Sequence, residues 1–195
     1  MADIKKKYAA KAFVSCSLRT EDENFVNYVC RILDSHNIQP FGTVGKFAAS
    51  PENPVALMNK NIPLSDIVVI CATKRYLQKD LKTGAVSYGL SEMVHFETGM
   101  AVAHGKPVVV FVQEGTDVGS VLPNITQYIT LNGQHEDFEA KRKLIFSLLN
   151  NAYQFVRKAN NNKTLRTVGN IAVGGLAIYG GIKLFQTILG NKKKH

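Results

Sequence analysis

The 195-residue sequence predicts an α/β sandwich, a central parallel sheet of about five strands covered by helices on both faces, followed by a separate apolar C-terminal helix. Three observations lead there. Through the first 130 residues, short apolar runs alternate with segments whose apolar residues recur every three or four positions, the sign of repeated β-α-β units. The strand-like runs, above all Asp66–Thr73 (D-I-V-V-I-C-A-T) and Pro107–Val112, are apolar throughout rather than alternating, as strands buried on both faces are. The chain is long enough for one such domain with an appendage and too short for two.

The elements follow in order. Ala12–Ser17 reads as a first buried strand. Glu23–Ser35 carries Phe25, Val26, Val29, Ile32 and Leu33 at helical spacing. Ile38–Phe41 is a second short strand, and Thr43–Pro54, with Gly45, Pro51 and Pro54, is a loop. Val55–Ile62 suits a helix stopped by Pro63. Asp66–Thr73 is a third strand, and residues 79–90 read as a polar loop. Ser91–His104 is a helix with Ser91 as its N-cap, Glu92 at the positive end of the helix dipole and Gly105 as the stop. Pro107–Val112 and Tyr128–Leu131 complete the strands, and Asp137–Lys158 forms a long helix. In parallel sheets, sites form at the carboxyl ends of the strands, which nominates the loops after Ser17, Phe41, Thr73 and Val112.

The net charge of +9 belongs to one end of the chain. Residues 1–140 hold 13 basic and 15 acidic side chains; residues 141–195 hold 11 basic side chains and no acid. Those bases flank an uncharged run, Thr167–Ile182, a pattern found beside membrane segments rather than on a nucleic-acid-binding face. From Leu165 to Lys183 a helix would be roughly 27 Å long, just enough for a bilayer core, with Lys183 snorkelling to the far interface. Gly169, Val173, Ala177 and Gly181 fall four apart, which suits close helix packing in lipid; burial against another subunit is the alternative. The expected organisation is a basic segment over 1–10, the α/β domain over 11–158, a linker over 159–166, a glycine-rich membrane-associated or transmembrane helix over 167–190 and a basic tail over 191–195. No apolar stretch follows the N-terminal lysines, so no secretory leader is expected, and the α/β domain is placed in the cytoplasm.

Cys16, Cys30 and Cys71 are widely spaced and form no C-x-x-C pair, as expected of buried thiols in a reducing compartment. His95 and His104 lack metal-ligand spacing, and no metal is expected. The signatures of phosphate-loop NTPases, dinucleotide-binding Rossmann domains and α/β-hydrolases are missing. One carboxylate stands out. Glu97 has Met93, Val94, Met100 and Ala101 as its helical neighbours, so it interrupts an apolar stripe near a sheet edge. A carboxylate so placed is costly unless it is paired or used. A backbone amide or Lys106 would satisfy it in the first case; chemistry would explain it in the second. Ser15, Ser17 and Arg19 fall at the end of the first strand, where a ribose or phosphate would dock; for Arg19 the alternative to a diphosphate contact is a solvated surface group. Phe47 suits either stacking on a base or anchoring its loop. Thr73 and Tyr76 follow the third strand and line the same cleft, with Tyr76 closer to the rim of the core.

Taken together, Lys11–Leu131 resembles a TIR (Toll/interleukin receptor) domain. Phe13-Val14-Ser15-Cys16 stands where the family has Phe-(Ile/Val)-Ser-Tyr; Ile67–Thr73 resembles its central strand; Met93-Val94-His95-Phe96-Glu97 is similar to its (Trp/Cys)-Val-x-x-Glu segment; Gly105-Lys106-Pro107 matches its strand entry. Cys16 and Met93 depart from the family's aromatics, and the loop around Gly45-Lys46-Phe47 lacks its acidic run. The resemblance implies a flavodoxin-like three-layer sandwich. It further implies NAD as substrate rather than cofactor, Glu97 as the catalytic group, self-association, and a role in immune, antiphage or cell-death signalling. The segment from Phe96 to Pro107 also resembles nucleoside deoxyribosyltransferases, which likewise break an N-glycosidic bond. The expected activity is cleavage of the nicotinamide–ribose bond of NAD+, giving ADP-ribose or a cyclic product. The competing readings are a non-enzymatic nucleotide-sensing or assembly module whose tail acts on a membrane, and a deoxyribosyltransferase-like enzyme. Nucleic acid is not an expected partner.

Overall fold

The computed structural model describes residues 8–17, 19–41, 53–119 and 126–161. Phe47 and the apolar segment 167–190 lie outside the described residues, so the expectations placed on them rest on sequence alone. The chain divides into two compact units, Met1–Lys158 and Ala159–His195. Of the second, only residues 159–161 are described, as the end of a helix.

The first unit is built around five parallel strands: β1 (Ala10–Ser15), β2 (Ile38–Phe41), β3 (Ile67–Ala72), β6 (Val108–Gln113) and β8 (Gln127–Leu131), in the spatial order β2-β1-β3-β6-β8. Among the described residues four α-helices accompany them: α1 (Glu23–Ser35), α2 (Pro54–Leu64), α3 (Glu92–Ala103) and α4 (His135–Asn161). Alternation along each strand divides the core into two layers. Ala12, Val14, Val69 and Phe111 face α1 and α4, where they meet Val29, Leu33, Ile145 and Leu149. Phe13, Val68, Ile70 and Val110 face the other way, toward Met58 and Ile62 of α2 and Val94 and Ala101 of α3. Because both faces are covered, β3 is buried at every position, which accounts for its unbroken apolar run.

The expected α/β sandwich with a five-stranded parallel sheet is therefore present, with differences in detail. β1 starts two residues earlier and ends at Ser15, because its ladder begins at Ala10 opposite Ile38. Cys16 and Ser17 then leave the sheet at its carboxyl edge. α2 runs through Pro63 to Leu64, ending one residue after the proline, which has no amide to donate to the carbonyl four residues before it. α4 extends from His135 to Asn161, three residues into the segment expected as a linker. The polar loop expected over 79–90 is a correction of substance. β4 (Tyr76–Lys79) and β5 (Val86–Gly89) form an antiparallel hairpin, joined by the two-residue strand β7 (Thr116–Asp117) into a second, three-stranded sheet. Among the described residues, no helix is long and apolar enough to cross a membrane.

Candidate functional site

The strand order places the site. β2 lies outward of β1, whereas β6 and β8 lie outward of β3, so the winding direction reverses between β1 and β3. At such a switch point the segments leaving the two strands diverge to opposite faces and open a crevice at their carboxyl ends. A cavity of about 390 Å³ occupies this crevice. Ser17 and Arg19 reach it from β1, Cys71, Thr73 and Arg75 from β3 and its following loop, and Ser91 and Val94 from the start of α3.

Glu97 lies on the sheet-facing side of α3. Val94, one turn before it, lines the cavity; Ala101, one turn after it, is fully buried. Ser15, at the end of β1, points to the same layer as Phe13 and donates its hydroxyl to Glu97 Oε2. Ser15 is itself buried, so the contact joins the sheet edge to the helix inside the protein. Lys106, the partner expected if Glu97 were structural, is engaged elsewhere: its ammonium donates to the carbonyls of Pro63 at 2.8 Å and Ser65 at 2.5 Å. Among the described residues, the half-buried Glu97 thus sits without a cation. Burial pushes its carboxyl up to about 7, and the Ser15 hydrogen bond offsets only part of that rise.

α3 is fixed at its start by its cap. Ser91 Oγ accepts from the Met93 amide at 3.2 Å, and its carbonyl accepts from the Val94 amide at 3.0 Å. Gly105, at φ +63°, ends the helix in the left-handed region as expected.

The remaining expected residues divide. Ser17 and Thr73 line the cavity, Thr73 from a buried position. Ser15 is Glu97's partner rather than a cavity wall. Arg19 lines the cavity, about a third exposed, and is fully engaged in ion pairs. It bonds the carboxylate of Asp22 through Nε and Nη2 at 3.0 Å each, pairs with Glu21 at 3.1 Å, and donates to the Lys74 carbonyl. Asp22 is buried, so the arginine neutralises a charge the fold has taken from water. Tyr76, expected to line the cleft, instead stands on the hairpin as an exposed residue, its hydroxyl donating to Glu92 Oε2 at 3.0 Å.

Arg75 was the residue missing from the expected set. It follows β3 in the nominated loop after Thr73, and position alone would have found it. Ser91, expected only as a cap, also belongs to the cavity wall. Among the described residues no three His, Cys, Asp or Glu side chains gather as a metal centre requires. The arrangement is a half-buried carboxylate one helical turn from a cavity lined by hydroxyls and guanidinium groups. Chemically it can stabilise a developing cation, or hold and release a proton near neutral pH.

Among solved structures, the chain is similar to a CMP N-glycosidase, BcmB, from Clostridium botulinum, at 16% identity and a TM-score of 0.45 over 69% of this chain and 98% of that one. It is also similar to BlsM in its solution structure, at 16% identity and a TM-score of 0.49 over 82% of this chain and 99% of that one. No curated protein matches the sequence. The family model described as a domain of unknown function (DUF4062) matches residues 11–167, and the chain belongs to that family.

Proposed function

We propose that the domain cleaves the N-glycosidic bond of a nucleotide, with Glu97 as the catalytic carboxylate and NAD+, by the TIR resemblance of the sequence, as the substrate. The observation that carries this reading is Glu97 itself: a half-buried carboxylate with no cation beside it among the described residues, held by Ser15, one turn from the cavity at the sheet's switch point. A carboxylate kept there for structure would be expected to accept from a backbone amide or to pair with Lys106, and Lys106 bonds the carbonyls of Pro63 and Ser65 instead.

The chemistry needs little else. In NAD+ the bond to be broken joins C1′ of a ribose to a cationic nicotinamide nitrogen. As it breaks, its electron pair goes to that nitrogen and nicotinamide leaves neutral, with no proton required. Positive charge develops on C1′ and the ring oxygen, where the Glu97 carboxylate stabilises it. Water adds to C1′ and loses a proton, giving ADP-ribose; attack by another part of the same molecule gives a cyclic product. Because its carboxyl is held at about 7, Glu97 is also able to protonate a departing neutral base, which favours nucleoside or nucleotide base release or exchange as the second reading.

The sequence resemblance adds the proposal that the reaction serves immune, antiphage or cell-death signalling. In it, self-association turns the enzyme on and segment 167–190 holds it at a membrane. The test is nicotinamide release from NAD+, and base release from nucleosides and their phosphates, by full-length protein and Glu97→Gln. Turnover in the first assay that the variant loses supports NAD+. Turnover only in the second supports the alternative. Equal rates for the two proteins, or none in either assay, remove the enzymatic reading and leave a binding module.

A further inference from the structure

We propose that the cavity beside Glu97 is a phosphate site and that Arg75 is its recognition residue, so that the ligand is a phosphorylated nucleotide rather than a nucleoside. This rests on the reading of the site given above and names its substrate class.

The argument turns on the different situations of the two arginines in the cavity wall. Arg19 is spent. Two of its nitrogens bond the buried carboxylate of Asp22, another meets Glu21, and its remaining reach goes to the Lys74 carbonyl. It ties the loop after β1 to the loop after β3, and its charge is balanced within the protein. Arg75 has no carboxylate within ion-pair distance among the described residues. Its guanidinium lies over the ring of Tyr76, 5.8 Å from the centroid, and Tyr76 is itself held by Glu92. The Arg75 amide donates to the Gly89 carbonyl at 2.8 Å, which fixes its backbone to the hairpin. An exposed positive charge is thus positioned by stacking and by the main chain at the wall of a cavity, with no carboxylate paired to it among the described residues.

The rest of the wall agrees. Its other polar groups include the hydroxyls of Ser17, Thr73 and Ser91, and no carboxylate lines it among the described residues. Ser91 caps a twelve-residue helix whose positive end faces this region. A guanidinium, hydroxyls and a helix start are the donors that phosphate oxygens accept from. The spacing also fits. Val94 lines the cavity and Glu97 lies one turn further along the same helix face, about 4.5 Å in rise. A nucleotide's phosphate and its anomeric carbon sit on opposite sides of a single ribose ring.

The experiment is calorimetric titration of full-length protein, Arg75→Ala and Arg75→Lys with two matched pairs, ADP with adenosine and CDP with cytidine. Thermal melts confirm that each variant is folded. The expected result is that at least one diphosphate binds tenfold or more tightly than its nucleoside, and more weakly as salt is raised. Arg75→Ala should raise that Kd at least tenfold without moving the nucleoside's, and Arg75→Lys should recover part of the loss, since it restores charge without the planar fork. Equal binding within each pair, no binding of either diphosphate, or an unchanged Kd in Arg75→Ala overturns the proposal. The readout is binding, so it stands if no bond-cleaving activity is found. Conversely, Glu97-dependent turnover with phosphate-indifferent binding removes this proposal alone.

Discussion

Glu97 was visible in the sequence because it breaks an apolar stripe at helical spacing, and composition offers no structural excuse for it. What the spacing could not show was its partner. Lys106 is nine residues along the chain and Ser15 eighty-two residues away, and only the winding of β1 beside β3 brings the second to it. Two predictions belong to this contact. In the unfolded chain Glu97 ionises near its ordinary 4.5, in the folded protein near 7. Below 4.5 it is protonated in both states and costs nothing. Between the two values the unfolded chain releases its proton first, so stability falls as pH rises; above 7 the loss levels off on the order of 2–3 kcal/mol. Glu97→Gln, which can still accept from Ser15, should match wild type near pH 4 and melt higher at pH 8. A melting-temperature difference that does not grow between those pH values would show that Glu97 is not held in its neutral form. The second concerns rate. If the ionised carboxylate stabilises the cation, kcat/KM for NAD+ should rise with pH about a midpoint near 7. The Ser15 hydrogen bond favours the charged form, so Ser15→Ala should move that midpoint to higher pH. An unmoved midpoint would mean that Ser15 does not tune the group.

At the scale of elements, legibility followed burial. α1 and β2 lie on the residues their periodicity indicated, and β3 and α3 differ only at their ends, because each presents a face to a core layer. The hairpin of β4 and β5 was not legible for the same reason. Every residue of β4 is exposed, so no buried face imposes a period of two. Its turn has local causes instead: Asp80 accepts from the amides of Lys82 and Thr83 at 2.7 and 2.9 Å, and Gly84 stands at φ +72°. Arg75 stands between β3 and this hairpin, in the loop after Thr73 that the sequence had already nominated. The α3 cap, by contrast, was legible and carries a prediction. Ser91→Ala removes the acceptor for the Met93 amide and should cost about 1 kcal/mol, or roughly 2–4 °C in melting temperature for a chain of this size. Ser91→Asp should restore the cap. Differential scanning calorimetry of the three proteins checks it, and an unchanged melting temperature in Ser91→Ala would show that the helix start is held by its packing.

For the whole molecule, the α/β class was legible because a chain with short, largely apolar strands and apolar-faced helices between them has few other ways to bury both. The order of the strands was not read from the sequence, yet that order places the cavity. The charge division of the chain carries a proposal of its own: residues 141–195, with eleven bases and no acid, should bring the protein to anionic membranes. Equal recovery of full-length protein and of residues 1–158 in the soluble fraction would exclude it. The same shorter chain tests whether the domain stands alone. The first compact unit ends at Lys158. Within α4 the residues that enter the core are Ile145, Leu148, Leu149 and Ala152, with Val156 packed against it from a partly buried position. A chain ending at Lys158 keeps all five and should unfold in one cooperative transition near the full-length melting temperature. A chain ending at residue 143 loses them. Ile145, Leu148 and Leu149 alone are worth about 1.5–3 kcal/mol each, a sum comparable with the roughly 5–15 kcal/mol that holds a whole domain together. It should therefore show no cooperative transition in urea. Loss of cooperativity already at Lys158 would make residues beyond it part of the core, and the linker expected over 159–166 would have to be redrawn.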